Sequence, residues 1–175
     1  MIVVRDIVLD RFRWVDGHAD VWRVFRDPIA LQAVVVGLAA PFRLAGITAV
    51  AGIESRGFLL GAAVAIELRV GFVAIRKSGA IFPGAKARAL TAPDYRGKRT
   101  QLFAQRAAIS ADDQILLVDD WIETGSQACA AAELIAACGG RLVGVSVIVD
   151  QLNGVARAAL PPVHSIVKSE ELPMA

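Results

Sequence analysis

The sequence predicts an α/β fold in which a mostly parallel sheet is flanked by helices. Residues 47–68 and 115–137 each contain an apolar run, a short polar loop and then a small-residue segment that favours helix. Hydrophobic residues make up 55% of the chain, and much of the excess is alanine and valine, as expected for a sheet covered on both faces. With 175 residues, the chain is expected to form one domain spanning residues 1–175.

The N-terminal quarter is expected to form a small lobe and a helix. Residues 2–9 are compatible with a strand or with a helix bracketed by Asp6 and Asp10. Aromatic residues at positions 10–27 predict a lobe, either with a solvated arginine face or as an apolar cover for a ring-shaped ligand. We call residues 1–27 the hood. A helix is expected from Pro28 towards Leu44, with Gly37 as an alternative end.

The remaining elements are expected to alternate between buried strands and helices. Strands are predicted at residues 47–52, 72–75, 115–118, 142–149 and 165–168, and helices at 59–68, 128–137 and 150–159. Residues 79–100 show little apolar periodicity, and a loop this long in a compact domain is usually functional or disordered. We expect a mobile lid that closes over a reactive intermediate and excludes water.

Composition and charge narrow the function classes. The net charge of +2 and a pI near 8.8 suit an anionic small molecule and do not amount to a nucleic-acid footprint. The mean hydropathy is +0.53, yet the longest uncharged run, residues 29–42, is too short to span a membrane. Charged residues near the N-terminus exclude a signal peptide core, so a cytoplasmic protein is expected.

Cysteine and histidine positions give no metal or disulfide pattern. Cys129 and Cys138 fall on different faces of one predicted helix, where a disulfide would need an implausible geometry. His18 and His164 lie far apart in sequence and are expected to be surface or packing residues. No metal ligand is therefore expected directly from protein side chains.

The chemistry is expected where the strand at residues 115–118 ends. Asp119 and Asp120 follow this strand, and a Thr124-Gly125-Ser126 turn leads into the next helix. Unpaired N–H groups at a helix N-terminus favour a phosphate. Carboxylates repel phosphate oxygens, so the acid pair is expected to face sugar hydroxyls, a metal ion or a developing positive charge. A lone Asp here would more commonly cap the helix, but the whole pattern favours a phosphorylated sugar.

Cationic side chains follow two other predicted strands. Arg56 follows the strand at 47–52, and Arg76 and Lys77 follow the strand at 72–75. Such charges are often merely solvated. Because the carboxyl ends of parallel strands form one ligand-binding edge, these three side chains together could bind a diphosphate that the acid pair cannot.

Residues 118–126 resemble the 5-phosphoribosyl diphosphate (PRPP) motif of the type I phosphoribosyltransferase family. The resemblance extends over residues 24–151 in consistent order and is greatest to the adenine-specific members. Residues 51–58 are similar to the family's diphosphate loop, where Glu54-Ser55 occupies the position of a frequent cis peptide. Residues 24–27 are similar to its adenine-binding stretch, and Asp94-Tyr95 stands where the lid carries Glu-Tyr.

The resemblance implies transfer of ribose 5-phosphate from PRPP to adenine, giving AMP and diphosphate in purine salvage. Magnesium would be held by the oxygens of PRPP and diphosphate, and the protein would be a homodimer. Catalysis is implied for Asp119, Asp120 and Asp94, and lid contacts for Tyr95 and Lys98. The implied 5-phosphate loop is Ile122, Glu123, Thr124, Gly125 and Ser126; the diphosphate site is Glu54, Ser55, Arg56, Arg76 and Lys77; the base site is Val24, Phe25 and Arg26.

Several positions depart from the family pattern. The usual Pro-Gly turn before Phe-Arg-Asp is absent, Asp94 replaces a Glu and Gln127 replaces a Thr, while Glu123 adds a carboxylate to the phosphate loop. These departures leave two alternatives: a phosphoribosyltransferase for another nucleobase, and a PRPP-sensing regulatory domain without catalysis.

Overall fold

In a computed structural model, the central sheet lies between helices on both faces. The structure describes residues 3–79, 81–93 and 97–173. Within these ranges, five parallel strands form one sheet in the order β4-β3-β7-β8-β9. They are β3 (Ala49–Ile53), β4 (Gly71–Ile75), β7 (Gln114–Ile122), β8 (Arg141–Asp150) and β9 (Val163–Lys168). The predicted fold class is confirmed.

The hood is a small helical and hairpin lobe. It contains α1 (Val4–Arg11), the antiparallel pair β1 (Arg13–Val15) and β2 (His18–Asp20), and α2 (Trp22–Arg26). Residues 2–9 were compatible with either strand or helix, and α1 is the outcome. The hood joins the body through α3 (Pro28–Ala39), which continues past Gly37; a Cβ at this position would lie 3.3 Å from Cγ1 of Val4 in α1.

Residues of β7 divide the core into two layers. Leu116 and Val118 pack on the face covered by α3 and α4 (Arg56–Leu68), whereas Ile115 and Leu117 pack on the face covered by α5 (Ser126–Ala136). This alternation is the two-residue period of a strand buried on both faces. The β7 strand is therefore the centre of the domain.

The observed β7 is longer than predicted. The expected strand ended before the two carboxylates, but Asp119 and Trp121 still pair with Val147 and Val149 of β8. Pairing with a long neighbour extends β7 past the point where its apolar run stops. Asp119 and Asp120 consequently lie on a strand rather than in a loop.

The segment predicted as an irregular lid contains a strand. β5 (Lys86–Leu90) pairs antiparallel with β6 (Gln101–Gln105), and Arg76 at the end of β4 exchanges backbone hydrogen bonds of 2.8 Å with Phe103. The sequence concealed β5 because its one buried side chain, Ala87, is only a methyl group, which gives a weak apolar signal between Lys86 and Arg88. The cross-strand partner, rather than an apolar pattern, holds this strand.

Two C-terminal predictions are also corrected. The helix predicted at 150–159 is shorter, α6 (Gly154–Ala158), because Asp150 belongs to β8 and Asn153 caps the helix. Cys138 lies beyond the end of α5, and both cysteines are free thiols. The predicted edge strand at 165–168 is confirmed as part of β9. Within the described ranges, the helices are too short or too polar to cross a membrane.

Candidate active site

A cavity of about 340 Å³ opens at the carboxyl ends of β3 and β7. The chain runs from β3 to β4 on one side and later to β7 on the other, so the strand order reverses between β3 and β7. Open α/β sheets bind ligands at such a point. The predicted site residues that line it are Glu54, Ser55, Arg56, Lys77, Asp119, Asp120, Ile122, Glu123, Thr124, Gly125 and Ser126.

The acid pair forms the centre of this cavity. Asp120 is only 5% exposed and its Oδ2 lies 2.8 Å from Nε of Arg56. The Asp119 carboxylate accepts a 2.9 Å hydrogen bond from the Asp120 backbone N–H. Burial, followed by the charge of Asp120, raises the pKa of Asp119 well above its ordinary value. A ligand that donates hydrogen bonds or carries positive charge would favour the ionised form of Asp119.

Helix α4 reaches the acid pair through a glycine. A Cβ on Gly57 would lie 3.1 Å from Oδ1 of Asp119 and 3.1 Å from the Val118 carbonyl oxygen. A side chain here would displace the carboxylate, since contacts this close are rarely tolerated. Gly57 thus fixes how closely the first turn of α4, which carries Arg56, approaches β7.

The loop from Ile122 to Ser126 has the geometry of a phosphate cradle. Gly125 has φ of +73° and precedes the first turn of α5, so the chain turns sharply and presents backbone N–H groups to the cavity edge. Thr124 Oγ1 donates to Ser126 Oγ at 3.0 Å and accepts from the Ser126 N–H at 3.3 Å. Both hydroxyls are therefore held at the helix N-terminus, where the macrodipole favours an anion.

A second segment braces this loop from behind. A Cβ on Gly125 would lie 3.2 Å from Cδ2 of Leu152 and 3.4 Å from Cδ1 of Leu160. Buried Asp150 anchors that segment through the Leu152 N–H at 2.9 Å and through ion pairs with Arg157 and Lys168. Burial alone would raise the pKa of Asp150, but these hydrogen bonds outweigh it and hold the pKa below its ordinary value.

The cationic side of the cavity is organised by Glu54. This carboxylate accepts from the Lys77 N–H at 3.0 Å and from Arg76 at 3.3 Å, which lowers the pKa of Glu54. The Glu54-Ser55 peptide is cis, at the position where the family resemblance implied one. Glu54 thus ties the end of β3 to the end of β4 and places Lys77 at the cavity wall.

Arg76 is placed differently from the other predicted diphosphate ligands. It is not among the residues that line the cavity, and its guanidinium lies 5.9 Å from the ring centroid of Phe82. Its Nε is buried without a hydrogen-bond partner among the described residues. The observed contacts give Arg76 a supporting position behind Glu54.

The predicted base-binding residues lie beside the cavity. Val24 is fully buried in the core, Phe25 is half-buried and Arg26 is exposed, and none of the three lines the cavity. The adjacent Trp22 lines it instead. The Asp27 carboxylate caps α3 by accepting from the Ile29 and Ala30 N–H groups, which fixes the hood to the body.

The lid prediction is only partly within the described ranges. Asp94 and Tyr95 lie outside them, and their predicted roles stay predictions. Lys98 is exposed near the start of β6. The structure thus shows how the lid segment is anchored by β5 and β6, and leaves its predicted contacts to experiment.

Among the described residues, eight cavity residues were not predicted as site residues: Trp22, Ile53, Leu117, Trp121, Gln127, Ala128, Val145 and Val147. Trp22 and Trp121 contribute aromatic surface, and Val145 and Val147 of β8 contribute part of the floor. The predicted strand at 142–149 already contained both valines. Only the pairing of β8 with β7 reveals that they lie beneath the acid pair.

Comparisons with known proteins agree with this geometry. The phosphoribosyl transferase domain model matches residues 31–166. An adenine phosphoribosyltransferase of Nitrosospira multiformis is 41% identical over 131 residues, which cover 75% of this chain and 73% of that protein. The crystal structure of an adenine phosphoribosyltransferase from Rhodothermus marinus superposes with a TM-score of 0.84 at 32% identity, covering 94% of this chain and 98% of the other.

A further solved structure carries a base analogue. The enzyme from Giardia lamblia, complexed with 9-deazaadenine, has a TM-score of 0.85 at 29% identity. The alignment covers 97% of this chain and 99% of the Giardia chain. The similarity therefore includes the hood as well as the central sheet.

Proposed function

Since the chain belongs to the phosphoribosyl transferase domain family, we propose that it transfers ribose 5-phosphate from PRPP to adenine, giving AMP and diphosphate. One observation carries the proposal: a phosphate cradle, an acid pair and cationic side chains line a single cavity at the switch point of the sheet. PRPP has a 5-phosphate, ribose hydroxyls and a diphosphate, which match these three features. The solved relatives named for adenine support the choice of base.

In the proposed reaction, a ring nitrogen of adenine forms a bond to C1 of the ribose while the C1–O bond to diphosphate breaks. The bonding electrons leave with diphosphate, and the nitrogen loses a proton. Positive charge develops on the sugar, and Asp119 and Asp120 would stabilise it while they bind the ribose hydroxyls. The loop from Ile122 to Ser126 would hold the 5-phosphate.

Arg56 and Lys77 would receive the leaving diphosphate, with Arg76 and Glu54 supporting that side of the cavity. Arg56 pairs with Asp120 at 2.8 Å. The guanidinium can exchange this carboxylate for diphosphate oxygens, which releases Asp120 to the ribose. Asp94 is proposed as an acid, base or base-edge contact brought in by the lid.

Magnesium is part of the proposal as an ion bound mainly by substrate oxygens. Mg²⁺ typically keeps several waters and uses one or two carboxylates together with phosphate oxygens. The described residues contain no group of three or more His, Cys, Asp or Glu side chains arranged for a metal, so the proposed ligands are oxygens of PRPP and diphosphate together with water. The ion would supply positive charge to the diphosphate when bound.

We also propose a homodimer formed through α4. Leu59 and Ile66 are two turns apart on this helix, and their exposed fractions are 53% and 79%. Light scattering should give twice the chain mass for the wild type and a lower mass for Ile66→Glu. A monomeric wild type would contradict the dimer without affecting the proposed reaction.

We also propose a cytoplasmic location, where reducing conditions would keep Cys129 and Cys138 as thiols. Fractionation of cells that produce the tagged protein would test this location.

The activity is tested by supplying PRPP and Mg²⁺ with adenine, guanine, hypoxanthine, xanthine and pyrimidine bases, and measuring diphosphate release. We expect release with adenine and formation of AMP. Release only with another base would change the proposed acceptor. PRPP binding by calorimetry without release for any base would instead favour a PRPP-sensing domain.

A further inference from the structure

Trp22 is a large aromatic side chain placed at the cavity without being buried. Its exposed fraction is 51%, although residues of this size usually bury most of their surface. The backbone N–H of Trp22 donates a hydrogen bond to Oδ1 of Asp20 at 3.0 Å, which fixes the start of α2. The indole and the Phe25 ring form a T-shaped contact, with ring centroids 5.5 Å apart and an interplanar angle of 86°. Phe25 thus supports the indole while about half of the Trp22 surface remains accessible.

The other cavity walls already match charged or hydroxylated parts of PRPP. Arg56 and Lys77 form the cationic wall, Asp119 and Asp120 the acidic centre, and residues 122–126 the phosphate cradle. The aromatic part of the lining comes from Trp22 and Trp121. A nucleobase is the substrate part with an extended apolar face, so this is the wall that fits it.

Displacement chemistry gives the same placement. The nitrogen must reach C1 from the side away from the departing diphosphate. With the diphosphate beside Arg56 and Lys77, the base must use a different wall of the cavity, and Trp22 and Trp121 supply an aromatic one. Trp22 is the hood residue that lines the cavity in the described part of the chain.

Trp121 differs from Trp22 in how firmly it is held. Its Nε1 donates to Oε1 of Gln151 at 3.0 Å, and its ring packs near Phe12 and Trp14 at centroid distances of 6.4 and 6.3 Å. Trp121 therefore connects the sheet to the hood and fixes the distance between them. Trp22 packs against Phe25 and keeps 51% of its surface exposed.

We propose that Trp22 is the residue on which the nucleobase stacks, with Trp121 as the fixed opposing boundary of the base site. This inference rests on the proposed function and deepens it. It gives Trp22 the stacking role that the family resemblance implied for Phe25, and makes Phe25 the support of Trp22. The aromatic wall formed by Trp22 and Trp121 would select a planar ring of purine size.

Steady-state kinetics of Trp22→Ala and Trp22→Phe test the proposal. Loss of base stacking should raise the adenine KM of Trp22→Ala about tenfold to a hundredfold, while the KM for PRPP changes little. Trp22→Phe should recover most of the affinity because it restores an aromatic face. Val15→Ala is the matched control, since Val15 lies in the hood, is 45% exposed and does not line the cavity.

A binding measurement provides a readout that does not require turnover. Adenine should quench tryptophan fluorescence of the wild type, and Trp22→Phe should lose the part of the quenching that comes from Trp22 and keep the part from Trp121, whereas Trp14→Phe should keep both parts. Trp14 donates to the Pro173 carbonyl oxygen and does not line the cavity. Circular dichroism and calorimetric PRPP binding would verify that each variant is folded.

The outcomes separate this inference from the proposed function. Wild-type turnover with an unchanged adenine KM in Trp22→Ala, or unchanged quenching in Trp22→Phe, would overturn the stacking role alone. A wild type that quenches with adenine but releases no diphosphate would overturn the transfer reaction and leave the stacking site in place. Absence of quenching in the wild type would overturn the stacking site.

Discussion

The phosphate side of the cavity and the hood are built in different ways. On the phosphate side, Arg56 pairs with buried Asp120, and Gly125 is packed against Leu152 and Leu160. In the hood, the short helix α2 buries Val24 but leaves Trp22 and Arg26 exposed. The phosphate side is thus fixed by contacts with the sheet, whereas the hood presents exposed side chains from a small lobe.

This difference teaches where substitutions should be tolerated. The sugar phosphate is the same whatever base is accepted, so its binding site needs one fixed backbone geometry. The sheet edge provides that geometry. The base contacts come from an attached lobe whose surface side chains can change with little effect on folding. The missing Pro-Gly turn before Phe25 falls in this lobe, while the PRPP motif keeps its acid pair and its Thr124-Gly125-Ser126 turn.

The largest effect is expected from removing both charges of the acid pair. Asp119→Asn with Asp120→Asn should lower the rate of transfer by roughly a thousandfold or more, because the developing charge on the ribose loses its partners. Diphosphate release measures the rate, and circular dichroism should show an intact fold. Asp6→Asn, an exposed carboxylate of α1, is the control. Normal turnover of the double variant would refute the assignment of these acids.

Asp119→Asn by itself should raise the stability of the protein while it lowers the activity. The pKa of Asp119 is raised in the folded protein, so the folded state binds more protons and stability falls as pH rises above the unfolded value of about 3.9. Asp119→Asn removes this penalty, and its Asn oxygen can still accept from the Asp120 N–H. We expect a higher Tm than wild type at pH 7 together with lost activity; a lower Tm would contradict the burial argument.

The phosphate loop should be the next most sensitive position. Gly125→Ala places a Cβ where φ is +73° and where Leu152 must move. We expect kcat/KM to fall about a hundredfold through misplacement of the 5-phosphate. Gly46→Ala is matched, since Gly46 has φ of +68° with open space around its Cβ position. Both variants should lose about 1–2 kcal/mol of stability, because each places a side chain on a left-handed backbone. Equal activity in the two variants would contradict the proposed role of the Gly125 loop in positioning the 5-phosphate.

A smaller effect is expected from the segment that supports this loop. Asp150→Asn leaves Arg157 and Lys168 without their shared carboxylate and should lower the free energy of unfolding by about 1–3 kcal/mol at pH 7. Because the pKa of Asp150 is lowered by folding, its stabilisation is present above the unfolded value of about 3.9 and is lost as pH falls through the folded value. Denaturant unfolding at pH 7 and pH 3 should therefore show the two proteins converging in acid. A difference independent of pH would contradict the role of ionised Asp150.

The smallest effects are expected for exposed hood side chains. Arg26→Ala should change the free energy of unfolding by less than about 0.5 kcal/mol and the adenine KM by less than about threefold. Val24→Ala, by contrast, removes fully buried volume and should destabilise the protein by about 1–3 kcal/mol. Thermal unfolding and the adenine KM of Arg26→Ala and Val24→Ala would show whether the hood recognises adenine through the Arg26 side chain. A large KM change in Arg26→Ala would assign it that role.

The sequence by itself determined the α/β class and the phosphate loop. Apolar runs followed by small-residue helices gave the order of β3, α4, β7 and α5, because burial on both faces leaves a continuous apolar run and local turn residues fix the loop. Asp119 and Ser126 are close in sequence, so local backbone geometry decides the conformation of the phosphate loop. These features depend on residues near one another in the chain.

Only the tertiary structure decided which distant side chains share the cavity. It carried β7 through Asp119 and Asp120 by pairing with β8, formed β5 against β6, and brought Trp22 rather than Arg26 to the cavity. Strand pairing and lobe docking depend on long-range partners, which local propensity does not specify. The sugar-phosphate chemistry was therefore evident in one stretch of sequence, whereas the base wall required the packing of the hood on the sheet.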